Sequence, residues 1–354
     1  MKKEKKPVKV LFFANFPAKD IRSIGGAASL SKRVYDFVIQ NKDISVKHIQ
    51  IRHFWRTKFQ LIDYLAWMVR FPFVSYKYDV ISMHVTREFH VSAGPFLWIW
   101  SKILGKKVVY HIFGGGFYRQ HKRQVKPMRW LMSKTIINAD ALVLETKNLI
   151  EDFKKDGKKN LVWMPNSVKP TKNFNRNRKF EKKIVFISRL EPDKGIPEVI
   201  KAAQLLPKGY TIDAYGPIDI KFYNSNPFEG TQVNYKGILH HDDIIKTIDQ
   251  NNLLLMPTYI DREGYPGIII EALSVGVPVI TTDCCVMREM ITDRYNGLII
   301  EPQSGKALAD AILHFNDNNY TTYQKNAHKS FATFNSDIVF QKFVDAYLGT
   351  IKFE

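Results

Sequence analysis

The chain has 354 residues, enough for two domains at roughly 100–200 residues each, and its 45% hydrophobic and 13% aromatic content excludes an intrinsically disordered protein. Its formal net charge is +19, and its only cysteines, Cys284 and Cys285, are neighbours. Adjacent cysteines provide neither a disulfide framework nor a four-ligand zinc site, so a reducing, cytoplasmic compartment is the simplest expectation.

The first ten residues, MKKEKKPVKV, carry the charge of a signal-peptide n-region. The apolar run that follows is short and ends at Pro17 and Lys19-Asp20, which predicts a folded strand over 8–14, not an export signal. Gly25-Gly26 then opens a helix to residue 40, and 45–51 is strand-like. The aromatic stretch 60–69 reads as a helix, 78–84 as a strand and 96–104 as a helix. The most apolar stretch, 91–100, is about half of what a membrane span needs. Strand 107–113 runs into Gly114-Gly115-Gly116. Helix 128–138, strand 141–145, helix 147–155 and strand 161–164 follow. Residues 165–183 hold Pro, Asn and charge without apolar period, the composition of a linker. The alternation then restarts, with strands over 184–188, 211–215, 233–235, 253–256, 278–281 and 297–300. Helices are predicted over 197–206, 242–251, 266–275, 306–315, 320–331 and 337–352. Strands alternating with helices at this spacing imply parallel sheets with crossover helices. The expected class is α/β, with two doubly wound domains over 1–165 and 184–335 joined by the 166–183 linker. The last helix, in 336–354, is free to pack back on the first domain.

Charge divides along the same line. Residues 1–170 carry 32 Lys and Arg against 12 Asp and Glu, a net of +20, whereas 171–354 carry 21 against 22. Such asymmetry points the first half at a polyanion: nucleic acid, an anionic membrane or a phosphorylated substrate.

Two segments of the second half carry the chemistry. In Glu263-Gly264-Tyr265-Pro266-Gly267-Ile268-Ile269-Ile270-Glu271, Pro266 suits a first helical position. The amides of Gly267 and Ile268 then face out of a helix N-terminus, where an anion is favoured. Glu271, one turn on, can accept two hydroxyls of a ribose diol, and Glu263 can reach another hydroxylated group. In Ser188-Arg189-Leu190-Glu191-Pro192-Asp193-Lys194-Gly195, a strand delivers Arg189 and a loop delivers Lys194. Two cations there can hold a diphosphate and stabilise it as it departs. The plainer alternative is a set of solvated surface charges.

Together these segments resemble family 4 glycosyltransferases of the GT-B fold, with G-R-L-x-x-x-K-G and E-G-x-P-x-x-x-x-E-A segments in the second domain. Ser188 stands where the first motif has Gly; the second matches at every fixed position. The resemblance implies two Rossmann-like domains facing a central cleft and a retaining transfer of a hexose-type sugar from a nucleotide-sugar donor. Arg189 and Lys194 would bind the donor phosphates, Glu271 the ribose, Glu263 the sugar, and Gly267 and Ile268 would lie near phosphate or sugar. Gly216 and Ile238 would line the nucleobase pocket. Gly25 and Gly26 resemble the family's glycine loop, and His111 its active-site histidine. Two departures stand out: Asn166-Ser167 replaces the usual Asn-Gly, and 259–262 lengthens a loop that shapes the sugar pocket.

With no Asp-x-Asp in the chain, no metal or other cofactor is expected. The resemblance implies a UDP- or GDP-sugar donor and a glycan or lipid-linked acceptor in bacterial surface polysaccharide or glycolipid assembly. The stretch 52–78, with Trp55, Phe59, Trp67 and Phe71 among Arg52, Arg56, Lys58 and Arg70, fits peripheral attachment to an anionic inner membrane face; a core helix is the alternative. The rival functions are nucleic-acid binding, opposed by the lack of any nucleic-acid-binding motif, a catalytically silent GT-B partner, and a phosphorylase-type enzyme, for which no Schiff-base lysine context is evident.

Overall fold

The computed structural model describes residues 6–17, 26–51, 57–85, 87–260, 263–284 and 286–354. The chain divides into two compact units, one of Met1–Pro165 with Asp337–Glu354, the other of Asn166–Ser336.

The first unit contains strands β1 (Val8–Ala14), β2 (Ile44–Gln50), β3 (Val80–Val85), β4 (Lys107–Ile112), β5 (Ala141–Leu144) and β6 (Leu161–Trp163). Its helices are α1 (Gly26–Val38), α2 (Thr57–Ser75), α3 (Arg87–His90), α4 (Ala93–Ile103), α5 (Phe117–Lys122), α6 (Lys126–Lys134) and α7 (Lys147–Lys155). The six strands are all parallel, in the order β2-β1-β3-β4-β5-β6. Both faces of the sheet are covered, which is why its inner strands β1, β3, β4 and β5 are buried along most of their length, whereas the edge strand β2 is not. Strand parity assigns the layers. Leu11, Phe13, Val108, Tyr110 and Ile112 pack with Phe71 and Leu97 from α2 and α4. Val10, Phe12 and Val109 pack on the opposite side with Leu30 and Val34 of α1.

The second unit repeats the plan. Its strands are β7 (Lys183–Ile187), β8 (Thr211–Tyr215), β9 (Val233–Tyr235), β10 (Leu253–Met256), β11 (Val279–Thr282) and β12 (Gly297–Ile300). Its helices are α8 (Ile196–Leu205), α9 (Ile244–Asp249), α10 (Gly267–Ser274), α11 (Met287–Met290), α12 (Gly305–His314) and α13 (Asp317–Ser330), with α14 (Ser336–Val339) starting at its border. Its sheet is parallel throughout, ordered β12-β11-β10-β7-β8-β9. The chain winds outward from β7 through β8 to β9, then returns to the other side of β7 at β10. A topological switch point therefore lies between the carboxyl ends of β7 and β10.

The last helix, α15 (Gln341–Leu348), belongs to the first unit. Phe343, Val344 and Tyr347 complete the layer on the α1 side of its sheet. The Lys342 ammonium donates to the Trp163 carbonyl at 2.6 Å.

The segment 166–183, a linker by composition, is counted with the second unit. It is bonded along the second unit. Val168 bridges to Asn335, and the Ser336 amide donates to the Val168 carbonyl at 3.0 Å. Arg178, buried, pairs with the Asp249 carboxylate and donates to the Asp249 carbonyl at 2.9 Å and to the Tyr320 hydroxyl at 3.3 Å. Composition missed this because polar residues that saturate one another's hydrogen bonds read in one dimension like polar residues that face water.

Candidate functional site

The switch point between β7 and β10 is where the second unit gathers its chemistry. β7 ends at Ile187, and the chain passes Arg189 into a single 3-10 turn, Pro192–Lys194, that ends at Gly195. Gly195 has φ +88, and a Cβ there would lie 2.5 Å from the Pro257 carbonyl oxygen, so only glycine lets this loop press on the end of β10. The contact is stapled. The Asp193 carbonyl accepts from the Tyr259 amide at 3.0 Å and from the Thr258 hydroxyl at 3.2 Å, and the Tyr259 hydroxyl donates to the Pro192 carbonyl at 3.0 Å. With both loops fixed, Lys194 Nζ meets Glu263 Oε2 at 2.8 Å, the two side chains 14% and 18% exposed. This pair joins the two motifs across 69 residues of sequence.

Arg189 is placed differently. Its side chain is exposed and pairs with Glu191 at 3.1 Å. The neighbouring wall is backbone. Gly216, at φ +140, packs against Ser188, where an added Cβ would come within 1.7 Å of the carbonyl oxygen. The Gly216 amide donates to the Gly237 carbonyl at 2.9 Å, and the Tyr235 hydroxyl donates to the Gly216 carbonyl at 2.9 Å. Leu190 bridges to Ile218, so the turn after β8 lies along the Arg189 loop. Ile238 is exposed beside it.

α10 begins one residue later than Pro266 was expected to start it. Pro266, with φ −63 and ψ 123, is the extended N-cap, and Gly267 is the first helical residue. The Gly267 and Ile268 amides still precede any helical carbonyl that could accept them, so the anion-favouring end of the helix is at the positions the sequence indicates. Glu271 follows one turn on, half-buried. The loop into α10 is held by the Asn166 side-chain amide, which donates to the Tyr265 carbonyl at 3.1 Å, and by the Tyr265 hydroxyl, bonded to the Glu289 carboxylate. In the sequence, Asn166 stands only as part of a departure from the family pattern and Tyr259 only within a lengthened loop. Both are clamps on the motif loops, a role no single-sequence pattern marks.

The remaining expected residues lie in the first unit. Gly25 lies outside the described residues; Gly26 is the exposed first residue of α1. His111 does not border an open site. It stands inside β4, with Ile112 still to follow, and is 0% exposed. Its odd parity with Val109 turns it toward α15, where it packs on Phe343 and Phe113. His111 Nδ1 and His84 Nδ1 share a hydrogen bond at 3.1 Å; His84 Nε2 meets Ser82 Oγ at 3.0 Å, and Ser82 Oγ meets the Tyr347 hydroxyl at 2.7 Å. Burial pushes the His111 imidazole down to about 3, and burial foremost, then the charge of His111, lowers His84, so both rings are neutral near pH 7. His111, expected from the resemblance as an active-site histidine, stands in this structure as a wholly enclosed ring in the core of the first unit.

The parallel two-unit architecture is that of the GT-B fold. A solved structure of Anabaena Alr3699/HepE in complex with UDP superposes with a TM-score of 0.71, covering 97% of this chain and 100% of that one at 15% identity. Sucrose-phosphate synthase from Thermosynechococcus elongatus superposes with a TM-score of 0.70 over 97% of this chain and 98% of that chain, also at 15% identity.

Within that fold, residues 167–330 match the family model described as Glycosyl transferases group 1. The N,N'-diacetylbacillosaminyl-diphospho-undecaprenol alpha-1,3-N-acetylgalactosaminyltransferase of Campylobacter jejuni is 24% identical over 59% of this chain and 53% of its own length. The capsular polysaccharide biosynthesis glycosyltransferase CapM of Staphylococcus aureus is 30% identical over 36% of this chain and 35% of its own. The chain thus spans about half the length, or less, of these curated relatives.

Proposed function

We propose that the protein is a retaining glycosyltransferase that moves a hexose-type sugar from a nucleotide diphosphate to an acceptor hydroxyl in bacterial surface polysaccharide or glycolipid assembly. The observation that carries this reading is the Lys194–Glu263 pair at the switch point, with the Arg189 loop and the α10 N-terminus on the flanking connections. Group 1 glycosyl transferase likeness over 167–330 supports it, as do relatives named for polysaccharide assembly.

In the proposed reaction the diphosphate lies against Lys194 and Arg189, with the Gly267 and Ile268 amides as further donors. The bond from the anomeric carbon to the diphosphate breaks through an oxocarbenium-like state. The two cations stabilise the charge that develops on the leaving oxygen, in place of a metal ion. A departing phosphate oxygen on the same face takes the acceptor's proton, so the anomeric configuration is kept. Glu271 holds the ribose diol and Glu263 a donor-sugar hydroxyl. Before the donor binds, Glu263 neutralises Lys194; the diphosphate then takes its place as the ammonium's partner. UDP is the favoured base-diphosphate, because the solved complexes of HepE are with UDP, UDP and glucose, and UDP-glucose.

Gly267 adds an argument from the backbone. A Cβ at this position would meet only Asn166 Nδ2, at an ordinary 3.5 Å, so the fold does not demand glycine here. A ligand approaching the helix end does.

Thermal-shift titration with UDP-, GDP-, ADP- and dTDP-sugars tests the reading, since a ligand bound only to the folded state raises the melting point with concentration. A UDP-sugar is expected to give the largest shift. Lys194→Ala and Glu271→Ala are expected to keep the fold and lose transfer. Full transfer by either variant at saturating donor, or no shift with any nucleotide sugar, refutes it.

A further inference from the structure

The first unit carries an apolar face that its own fold does not use. Along α2 the large apolar side chains that are described sort into two sets. Phe71 is 0% exposed, and Trp67, Met68 and Val74 pack on the core. Ile62, Leu65, Val69 and Phe73 point the other way, Val69 at 71% and Phe73 at 76% exposure. At 100° per residue these four fall within an arc of about 80°, a single stripe along the helix. Tyr76, exposed, continues it past the helix end.

α4 packs beside α2 and repeats the pattern. Ala93, Leu97 and Ser101 are buried, while Phe96, Trp100 and Ile103 are exposed at spacings of four and three. Lys106 Nζ donates to the Tyr76 carbonyl at 2.8 Å, which ties the end of one stripe to the end of the other. Isolated exposed apolar residues are ordinary, but two adjacent helices each presenting a full stripe are not.

The charges around the stripes say what fits. Arg70 and Lys77 are exposed on and just after α2, with the Lys77 ammonium 5.3 Å from the Tyr76 ring centroid. They stand in a half of the chain with a net charge of +20. A second copy of this chain would oppose cation to cation. A nucleic acid would match the cations but leave the apolar side chains against phosphate. An anionic bilayer surface satisfies both, taking the apolar side chains below its headgroups and the cations among its phosphates. Among the described residues no helix is long and apolar enough to cross a membrane, so the geometry is that of a face lying on the bilayer.

We propose that the outward stripes of α2 and α4 form a docking face for an anionic lipid bilayer. The face differs from the one the sequence pattern indicates. Trp67 and Phe71 turn inward, and Trp55 and the side chain of Phe59 lie outside what the structure describes. The proposal rests on the glycosyltransferase reading only for its consequence, which is that the enzyme meets a lipid-linked acceptor in two dimensions.

Vesicle flotation of the full chain tests it, with vesicles of equal parts phosphatidylglycerol and phosphatidylcholine against phosphatidylcholine alone. The protein is expected to float with the anionic vesicles, less so as salt shortens the screening length. The triple variant I62S/L65S/F73S removes three exposed side chains, and is expected to unfold at the wild-type temperature while its partition coefficient falls about a hundredfold or more. R70E/K77E is expected to lower partitioning about tenfold or more. Each variant is titrated with UDP-sugar in parallel. Flotation lost with the nucleotide shift retained is the expected outcome. Normal flotation without a nucleotide shift supports the docking face and overturns the enzymatic reading instead. Wild-type partitioning by the triple variant overturns the proposal. So does a wild type that ignores anionic vesicles, whether it self-associates through these residues or is retained by DNA.

Discussion

Three glycines show how differently one residue type serves a site. Gly216 has a φ of +140 and backs onto the Ser188 carbonyl, so Gly216→Ala cannot be accommodated without moving two strand ends. A loss of roughly 2–4 kcal/mol in denaturant unfolding is expected, because strain and overlap add. Gly267 is in ordinary helical geometry with room for a methyl group beside Asn166. Gly267→Ala is expected to hold or slightly raise stability through helix propensity, by up to ~1 kcal/mol, and to weaken the UDP-sugar thermal shift. A variant that unfolds early, or that binds donor as the wild type does, removes Gly267 from the site. Gly195 falls between these cases, since its backbone both turns the cation loop and touches Pro257. Lys194 and Glu263 were legible in the sequence as separate motif residues. Their pairing was not, because it spans a separation of 69 positions that is closed only by the stapling of Asp193 to Thr258 and Tyr259.

At the scale of elements, the strap and the last helix carry the clearest consequences. Arg178 is nearly inaccessible and Asp249 is its charge partner, so Arg178→Ala leaves a half-buried carboxylate without its guanidinium. Breaking such a pair is expected to cost about 3 kcal/mol, read as an earlier unfolding transition, with the 166–183 segment becoming the preferred site of limited proteolysis. Unchanged proteolysis in the variant would mean that the other bonds to the strap, from Val168 to Asn335 and Ser336 and from the Gln324 amide to the Asn175 carbonyl at 2.6 Å among them, suffice to hold it. For α15, Tyr347→Phe keeps the ring that fills the layer beside Phe343 and removes only its hydrogen bond to Ser82. A loss of about 1 kcal/mol is expected. His111→Ala empties a fully enclosed site and strips His84 of a partner, so a loss of roughly 2–4 kcal/mol is expected. A His111 variant with wild-type stability and no transfer would instead restore the histidine to the chemistry.

At the scale of the whole molecule, the two units share an architecture, and the first carries a set of enclosed histidines that ties its stability to pH. The first unit encloses His84, His90 and His111, all neutral, with His90 and His111 pushed by burial to about 3. The ordinary value of 6.5 applies once the chain unfolds. Below that value the unfolded state binds protons that the native state refuses, so stability is full at higher pH and falls as pH drops from 6.5 toward 3. His90 and His111 together are expected to withdraw on the order of 4 kcal/mol by about pH 5, with His84 acting in the same direction. All six tryptophans, Trp55, Trp67, Trp98, Trp100, Trp130 and Trp163, lie in the first unit, so tryptophan fluorescence reports it selectively. Denaturant midpoints that stay level between pH 7 and pH 5 would show that these rings are not held neutral.

What the sequence determined by itself was periodic or local. Runs of β-branched and aromatic residues between amphipathic stretches specified two parallel sheets, and the Arg189–Lys194 and Glu263–Glu271 spacings specified which loops carry the chemistry. Strand and helix periods are properties of a few neighbouring residues, so they survive in one dimension. Facing is not such a property. Only the tertiary structure decided that His111 turns inward, that 166–183 is strapped down, and that α2 shows Val69 and Phe73, not Trp67 and Phe71, to the outside. Which side of an element meets the core depends on the sheet it crosses, and that surface is assembled from residues far away in the chain.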